Sequence, residues 1–105
     1  MGLLSKFVGP GINAKVAEAA SDPDAVVLDV RTREEYARGH IEGAVNVPLD
    51  EIEQAARLFG DKNLYVHCAS GARSKRAVAR LKDLGVQNAQ NIGGIMSWNG
   101  PLSTN

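Results

Sequence analysis

Six consecutive residues, Ala25-Val26-Val27-Leu28-Asp29-Val30, are apolar at every position but one, and three of them are β-branched. A strand with one wet face alternates apolar and polar residues, whereas a run this continuous suits a central parallel strand covered on both faces. Parallel neighbours need crossover connections, which are usually helices. A second apolar run, Leu64-Tyr65-Val66, reads as another short buried strand and leads into the only cysteine, Cys68. The chain therefore reads as α/β, a largely parallel sheet with helices packed on it.

The intervening segments supply those helices. After a turn at Gly9-Pro10-Gly11, Asn13 is placed to cap a helix over about 14–20, which Ser21-Asp22-Pro23-Asp24 ends. Thr32-Arg33-Glu34-Glu35 matches a capping box, Thr32 the N-cap and Glu35 its reciprocal partner, so a short helix should run to about Arg38 and stop at Gly39. Ala44-Val45-Asn46-Val47, between Gly43 and Pro48, predicts a short strand. Asp50-Glu51-Ile52-Glu53 repeats the cap pattern and opens a helix carrying Ile52, Ala56 and Leu58 toward Phe59. Gly60-Asp61-Lys62-Asn63 then turns the chain into the strand that ends at Cys68. A helix from Ser74, whose hydroxyl suits a cap, to about Leu84 has Ala77, Val78, Leu81 and Leu84 in one stripe and Gly85 at C′. Ala89 to Ile92 is a weak last strand, Gly93-Gly94 a tight turn, Ile95 to Trp98 a single helical turn, and Pro101 onward a tail.

Cys68 lies where a strand gives way to a helix, the end of a parallel sheet at which ligands bind. A thiolate is a far better nucleophile than a thiol, and the free N–H groups of a helix N-terminus stabilise negative charge. The small residues Ala69, Ser70, Gly71 and Ala72 let the backbone curl with its N–H groups inward, and the loop closes on Arg73 and Ser74. Ser70 and Ser74 add hydroxyl donors. The arrangement suits a sulfur nucleophile acting on an anionic substrate.

With 105 residues the chain is a single domain with one core. Twelve basic and twelve acidic residues cancel, which points away from nucleic acid and anionic membranes. Arg73, Lys75, Arg76, Arg80 and Lys82 nonetheless cluster after the loop. They form either a solvated helix face, the reading adopted for Arg80 and Lys82, or a local field drawing small anions toward Cys68. One cysteine excludes an internal disulfide, a CxxC pair and a zinc cluster. No metal or cofactor is expected, and whatever Cys68 acquires must pass to an outside acceptor. Met1 to Pro10 holds only the short apolar pieces Leu3-Leu4 and Phe7-Val8, neither a signal segment nor a membrane span. A cytoplasmic monomer is the default expectation, and a signal removed before residue 1 stays open.

Three motifs in order resemble the rhodanese-like domains. Asp29-Val30-Arg31, Glu35-Tyr36 and Gly39-His40-Ile41-Glu42-Gly43-Ala44-Val45-Asn46-Val47-Pro48 are similar to that family's first signature, Leu64 to Ser74 to its active-site loop, and Gly93-Gly94, Trp98 and Gly100-Pro101 to its C-terminal signature. The resemblance spans about Asn13 to Leu102 and implies a three-layer fold, a mostly parallel sheet of about five strands flanked by helices. It further implies a sulfurtransferase. Cys68 would take a sulfane sulfur from thiosulfate or a related small anionic donor, carry it as a persulfide, and pass it to cyanide, a thiol or a protein. Residues 69–74 would bind the substrate, with Arg73 gripping the sulfonate oxygens of thiosulfate through its fork. The family's thiosulfate enzymes often carry a basic residue directly after the cysteine, where this chain has Ala69, so a persulfide on a protein or small thiol is the expected better donor.

Two other readings stand beside it. Cysteine phosphatases place five residues between Cys and Arg; here four intervene, a ring that fits one sulfur better than a tetrahedral phosphate. The fold also serves as a non-catalytic binding or regulatory module. Among the remaining candidates, His67 follows the strand's alternation away from the Cys68 face and reads as structural, as does His40. Asp29 and Arg31 look, in the family's pattern, like a buried ion-pair network, and Trp98 reads as pocket lining or core anchor.

Overall fold

The computed structural model describes residues 10–105. The expectations for Met1 to Gly9 lie outside the described residues. Helix α1 (Ile12–Ala20) precedes strand β1 (Ala25–Asp29), helix α2 (Arg33–Arg38), the short strands β2 (His40–Ile41) and β3 (Val45–Asn46), and a 3-10 turn at Leu49–Glu51 that runs into helix α3 (Ile52–Phe59). Strand β4 (Asn63–Cys68), helix α4 (Ala72–Asp83), strand β5 (Ala89–Gly94), a second 3-10 turn at Ile95–Ser97 and strand β6 (Leu102–Ser103) complete the chain.

Strands β3-β1-β4-β5 form a wholly parallel sheet in that order. Among the described residues it has four strands, against the expectation of about five. The remaining two, β2 and β6, form a separate antiparallel pair, His40 opposite Ser103 and Ile41 opposite Leu102. The expected tail after Pro101 is thus a strand, made by a partner far away in sequence.

The continuous apolar runs do become the two central strands, and their side chains divide between two cores. Leu28 and Val30 share one face with Leu64, Val66 and Cys68, where Ile52 and Ala55 of α3 and Ala77 and Leu81 of α4 cover them. Tyr65 points to the other face, packing with Ile12 and Ala19 of α1, Ile41, Ala44 and Ile92. Burying such side chains stabilises by about 1.5–3 kcal/mol each, so two short strands anchor both helical layers. Cys68 therefore projects beneath the layer containing α4.

Cap chemistry decides the helix starts. The Thr32–Glu35 capping box is present, Glu35 N donating to Thr32 Oγ1 at 3.1 Å and Thr32 N to Glu35 Oε1 at 2.9 Å. The other three caps differ from expectation. Gly11 starts α1, and Asn13, inside the helix, reaches the C-terminal segment, donating to Ser97 O at 2.9 Å and accepting from Asn99 N at 2.8 Å. Residues 49–51 form a 3-10 turn before α3, with no side-chain cap. Helix α4 begins at Ala72 from Gly71, whose φ of 104° is a left-handed value that glycine adopts without strain, so Ser74 sits inside the first turn.

Gly93-Gly94 is not a free turn. Both pair within β5, where the register slips: Val66 lies opposite Asn91, yet His67 lies opposite Gly93. This bulge, with Gly93 at φ 107°, brings Asn91, Gly93 and Gly94 under the loop that follows Cys68.

Candidate active site

Cys68 ends β4 and is 1% exposed. The loop after it closes on the sulfur: Gly71 N–H donates to Cys68 Sγ at 3.0 Å, and Ser74 Oγ lies 3.5 Å away. Burial alone pushes the thiol up. The Ser74 hydroxyl and the N–H groups of Ser74, Gly71 and Ser70 act in the opposite direction and prevail, holding the thiol below its ordinary value. Of the loop amides, those of Ser70, Gly71 and Ser74 are directed at the sulfur.

The Ser74 hydroxyl has a single hydrogen and several acceptors. Asn91 Oδ1 lies 2.7 Å from it, nearer than Sγ. Asn91 Oδ1 also accepts from Gly93 N at 3.0 Å, so the hydroxyl can turn to an ionised sulfur without leaving that oxygen bare. Asn91 Nδ2 donates to Gly71 O at 3.1 Å, and Met96 N donates to Ala69 O at 3.1 Å. The β5 end thus braces the cradle at two points. Sequence reasoning passed over Asn91, whose only signal is an amide placed just before a Gly-Gly pair.

Arg73 departs from expectation. Its fork is already occupied, NH1 donating to Glu35 Oε1 at 2.7 Å and NH2 to Glu35 Oε2 at 3.0 Å. The Arg73 guanidinium, chiefly by these hydrogen bonds, lowers the Glu35 carboxyl to about 2. Glu35 was legible as a cap partner alone; its second role depends on a residue 38 positions later. Helices α2 and α4 are pinned together across the approach to Cys68. The basic cluster is likewise partly neutralised, Arg80 pairing with Glu53 at 3.0 Å.

Beneath the cradle, Arg31 grips Asp29 through Nε and NH2 at 2.7–3.1 Å and donates to Gly39 O at 2.8 Å, all buried. His67 is fully buried, with Nδ1 3.2 Å from Cys68 O and Nε2 without a hydrogen-bond partner, 3.8 Å from Asp29 Oδ2. Burial holds its imidazole below the ordinary value. Neither ring nitrogen is directed at the sulfur. His40 stacks on Tyr36, centroids 3.7 Å apart, and bonds Tyr36 O. Trp98 packs against the α1-side core and donates to Pro101 O at 3.0 Å.

Beside the cradle runs a cleft of ≈ 420 Å³, lined among others by Thr32, Arg33, Leu49, Asp50, Arg73 and Arg76. Met96, whose N–H holds the loop, is 78% exposed. No helix of the described residues is long and apolar enough to cross a membrane.

The geometry has its counterpart in known proteins. The model of the Rhodanese-like domain family matches residues 13–101. A putative sulfur carrier protein, YrkF of Bacillus subtilis (strain 168), is 38% identical over 82 residues, 76% of this chain and 44% of that protein. The thiosulfate sulfurtransferase PspE of Escherichia coli (strain K12) is 38% identical over 71 residues, 65% of this chain and 68% of its own length. A tRNA uridine(34) hydroxylase of Salmonella newport is 34% identical over 93 residues, 81% of this chain and 27% of that protein. The chain thus spans about a quarter to a half of the first of these curated relatives. Among solved structures, a rhodanese-related protein from Thermoplasma volcanium superposes with a TM-score of 0.75 at 35% identity, covering 89% of this chain and 95% of that one.

Proposed function

The chain belongs to the rhodanese-like domain family, and from that premise we propose that it is a sulfurtransferase working through a persulfide on Cys68. The observation that carries the reading is the Gly71 N–H held at 3.0 Å from a sulfur whose thiol is lowered despite its burial. A cysteine kept as core filler would have its thiol raised by the same burial.

The chemistry is a double displacement. The Cys68 thiolate attacks the outer sulfur of thiosulfate, the donor S–S bond breaks, and sulfite leaves with the electron pair. Cys68–S–S⁻ remains. Cyanide, or an outside thiolate, then attacks the terminal sulfur, leaving as thiocyanate or as a new persulfide and returning the Cys68 thiolate. The amides of Ser70, Gly71 and Ser74 hold the anionic sulfur in both halves of the cycle. The new sulfur stands about 2 Å farther out than the first. A nucleophile that is 1% exposed thus becomes a reachable electrophile once loaded.

The same closeness disfavours phosphoryl transfer. A ring whose Gly71 amide is spent directly on Sγ keeps little space for three equatorial phosphate oxygens. The thiosulfate sulfurtransferase and sulfur carrier relatives support sulfur transfer, while the tRNA uridine(34) hydroxylase relative is named for a different reaction.

Intact-mass measurement tests the reading. Incubation with thiosulfate or an alternative sulfane donor should add one sulfur, cyanide should remove it, and Cys68→Ser should neither gain it nor turn over. An unloaded protein with Cys68 free after every donor would refute it.

A further inference from the structure

Resting on the sulfur-transfer reading, we propose that Glu35 sets the donor class: by occupying Arg73 it turns the site from the dianion thiosulfate toward sulfane donors of lower charge. Four observations lead there. The end-on fork of Arg73, NH1 and NH2, is committed to the two Glu35 oxygens, so a sulfonate meets at most its Nε edge, on a guanidinium whose charge Glu35 already balances. The loop itself supplies no other cation, its remaining residues being Ala69, Ser70, Gly71 and Ala72. The cleft leading to Arg73 carries the guanidinium groups of Arg33, Arg73 and Arg76 against the carboxylates of Glu34, Asp50 and Glu51, three against three. Adding Glu35, the partner of Arg73, makes four against three, a net charge of −1 in and beside this cleft. Finally, Met96, whose N–H is tied to Ala69 O, is exposed and offers an apolar side chain from the segment bracing the loop to the organic part of a donor.

The transfer from such a donor balances as it does for thiosulfate. With an alkanethiosulfonate, R–SO2–S⁻, the Cys68 thiolate takes the outer sulfur, the S–S bond breaks and the sulfinate R–SO2⁻ leaves. The donor brings one negative charge instead of two and an apolar group in place of the third oxygen. Glu35 does not touch the reacting atoms; it acts through Arg73 and is a positioning residue that governs specificity.

Glu35→Gln separates this role from folding. Glutamine also completes a capping box, so α2 keeps its start while the carboxylate charge and its hold on Arg73 are lost. The experiment compares kcat/KM for thiosulfate and for methanethiosulfonate, with cyanide as acceptor, in the wild type and in Glu35→Gln. One removed charge at partly screened range should raise the thiosulfate-to-methanethiosulfonate ratio about fivefold. An unchanged or lower ratio, with both donors turned over, overturns the proposal and leaves the sulfur-transfer reading standing. Turnover of neither donor by the wild type overturns this proposal, and the sulfur-transfer reading falls with it only where no sulfane donor loads Cys68. Ionic strength gives an independent readout on the unaltered protein. Wild-type kcat/KM for thiosulfate should stay flat or rise with added salt, because screening relieves a mild repulsion. A steep fall would mean that a free cation steers the dianion, and would refute the assignment.

Discussion

A thiol fully enclosed by protein normally holds its proton, and Cys68 is enclosed yet acidified. The difference is made by the few donors within reach of one sulfur. Ser74→Ala deletes the hydroxyl 3.5 Å away and leaves the amides in place. The Cys68 titration midpoint, followed by thiolate absorbance, should then move up toward that of ordinary cysteine. No movement would show that the backbone alone sets the acidity. Glu35 yields a second prediction. Its folded value, about 2, lies below its ordinary 4.5, so the unfolded chain binds the extra proton first as acid is added. The Glu35–Arg73 pair therefore contributes its full stability above about pH 4.5 and loses it as the pH falls toward 2. The gap in Tm between wild type and Glu35→Gln should be widest near neutrality and close across that acidic window.

Elements defined by their own residues were legible, and elements defined by distant partners were not. β1 and β4 follow from uninterrupted apolar runs, and the Thr32–Glu35 box follows from a spacing of three. β6 could not be read, because Leu102-Ser103 is a strand only through His40-Ile41. The Gly93-Gly94 bulge was likewise hidden: glycine pairs announce a turn, and only pairing with His67 and Cys68 makes this one a strand. The cysteine and its loop were visible because strand, nucleophile, small residues and helix are contiguous. The Arg73–Glu35 fork joins residues on separate helices, so local pattern assigned each a different task. The bulge also has a measurable role. A Cβ on Gly94 would stand 2.6 Å from the Ser70 Cα and closer still to Ala69 O, against backbone that cannot swing aside. Gly94→Ala should destabilise by about 1–3 kcal/mol through overpacking. It should also slow persulfide formation at least tenfold under conditions where far-UV circular dichroism shows the protein folded.

Across the described residues, one side chain fastens the first helix to the segment after the last strand of the parallel sheet. Asn13 on α1 holds Ser97 and Asn99, which follow the segment bracing the cradle through Met96. Asn13→Ala removes both bonds at an exposed position and should cost about 1–2 kcal/mol. For a chain of 105 residues that is a fall of several degrees in Tm. The Cys68 titration should stay in place if the clamp serves stability alone, and should shift if the C-terminal brace transmits to the loop. The near-complete covering of Cys68 has a further consequence, for durability. Acidic thiolates are the ones that peroxide oxidises first, and sulfinic acid is in practice an irreversible loss. That covering cannot exclude peroxide, which is smaller than any sulfane donor the site must admit, so the unloaded thiolate is the form at risk. The loaded form of the proposed cycle would expose an outer, replaceable sulfur instead, which reduction strips away to give back an intact cysteine.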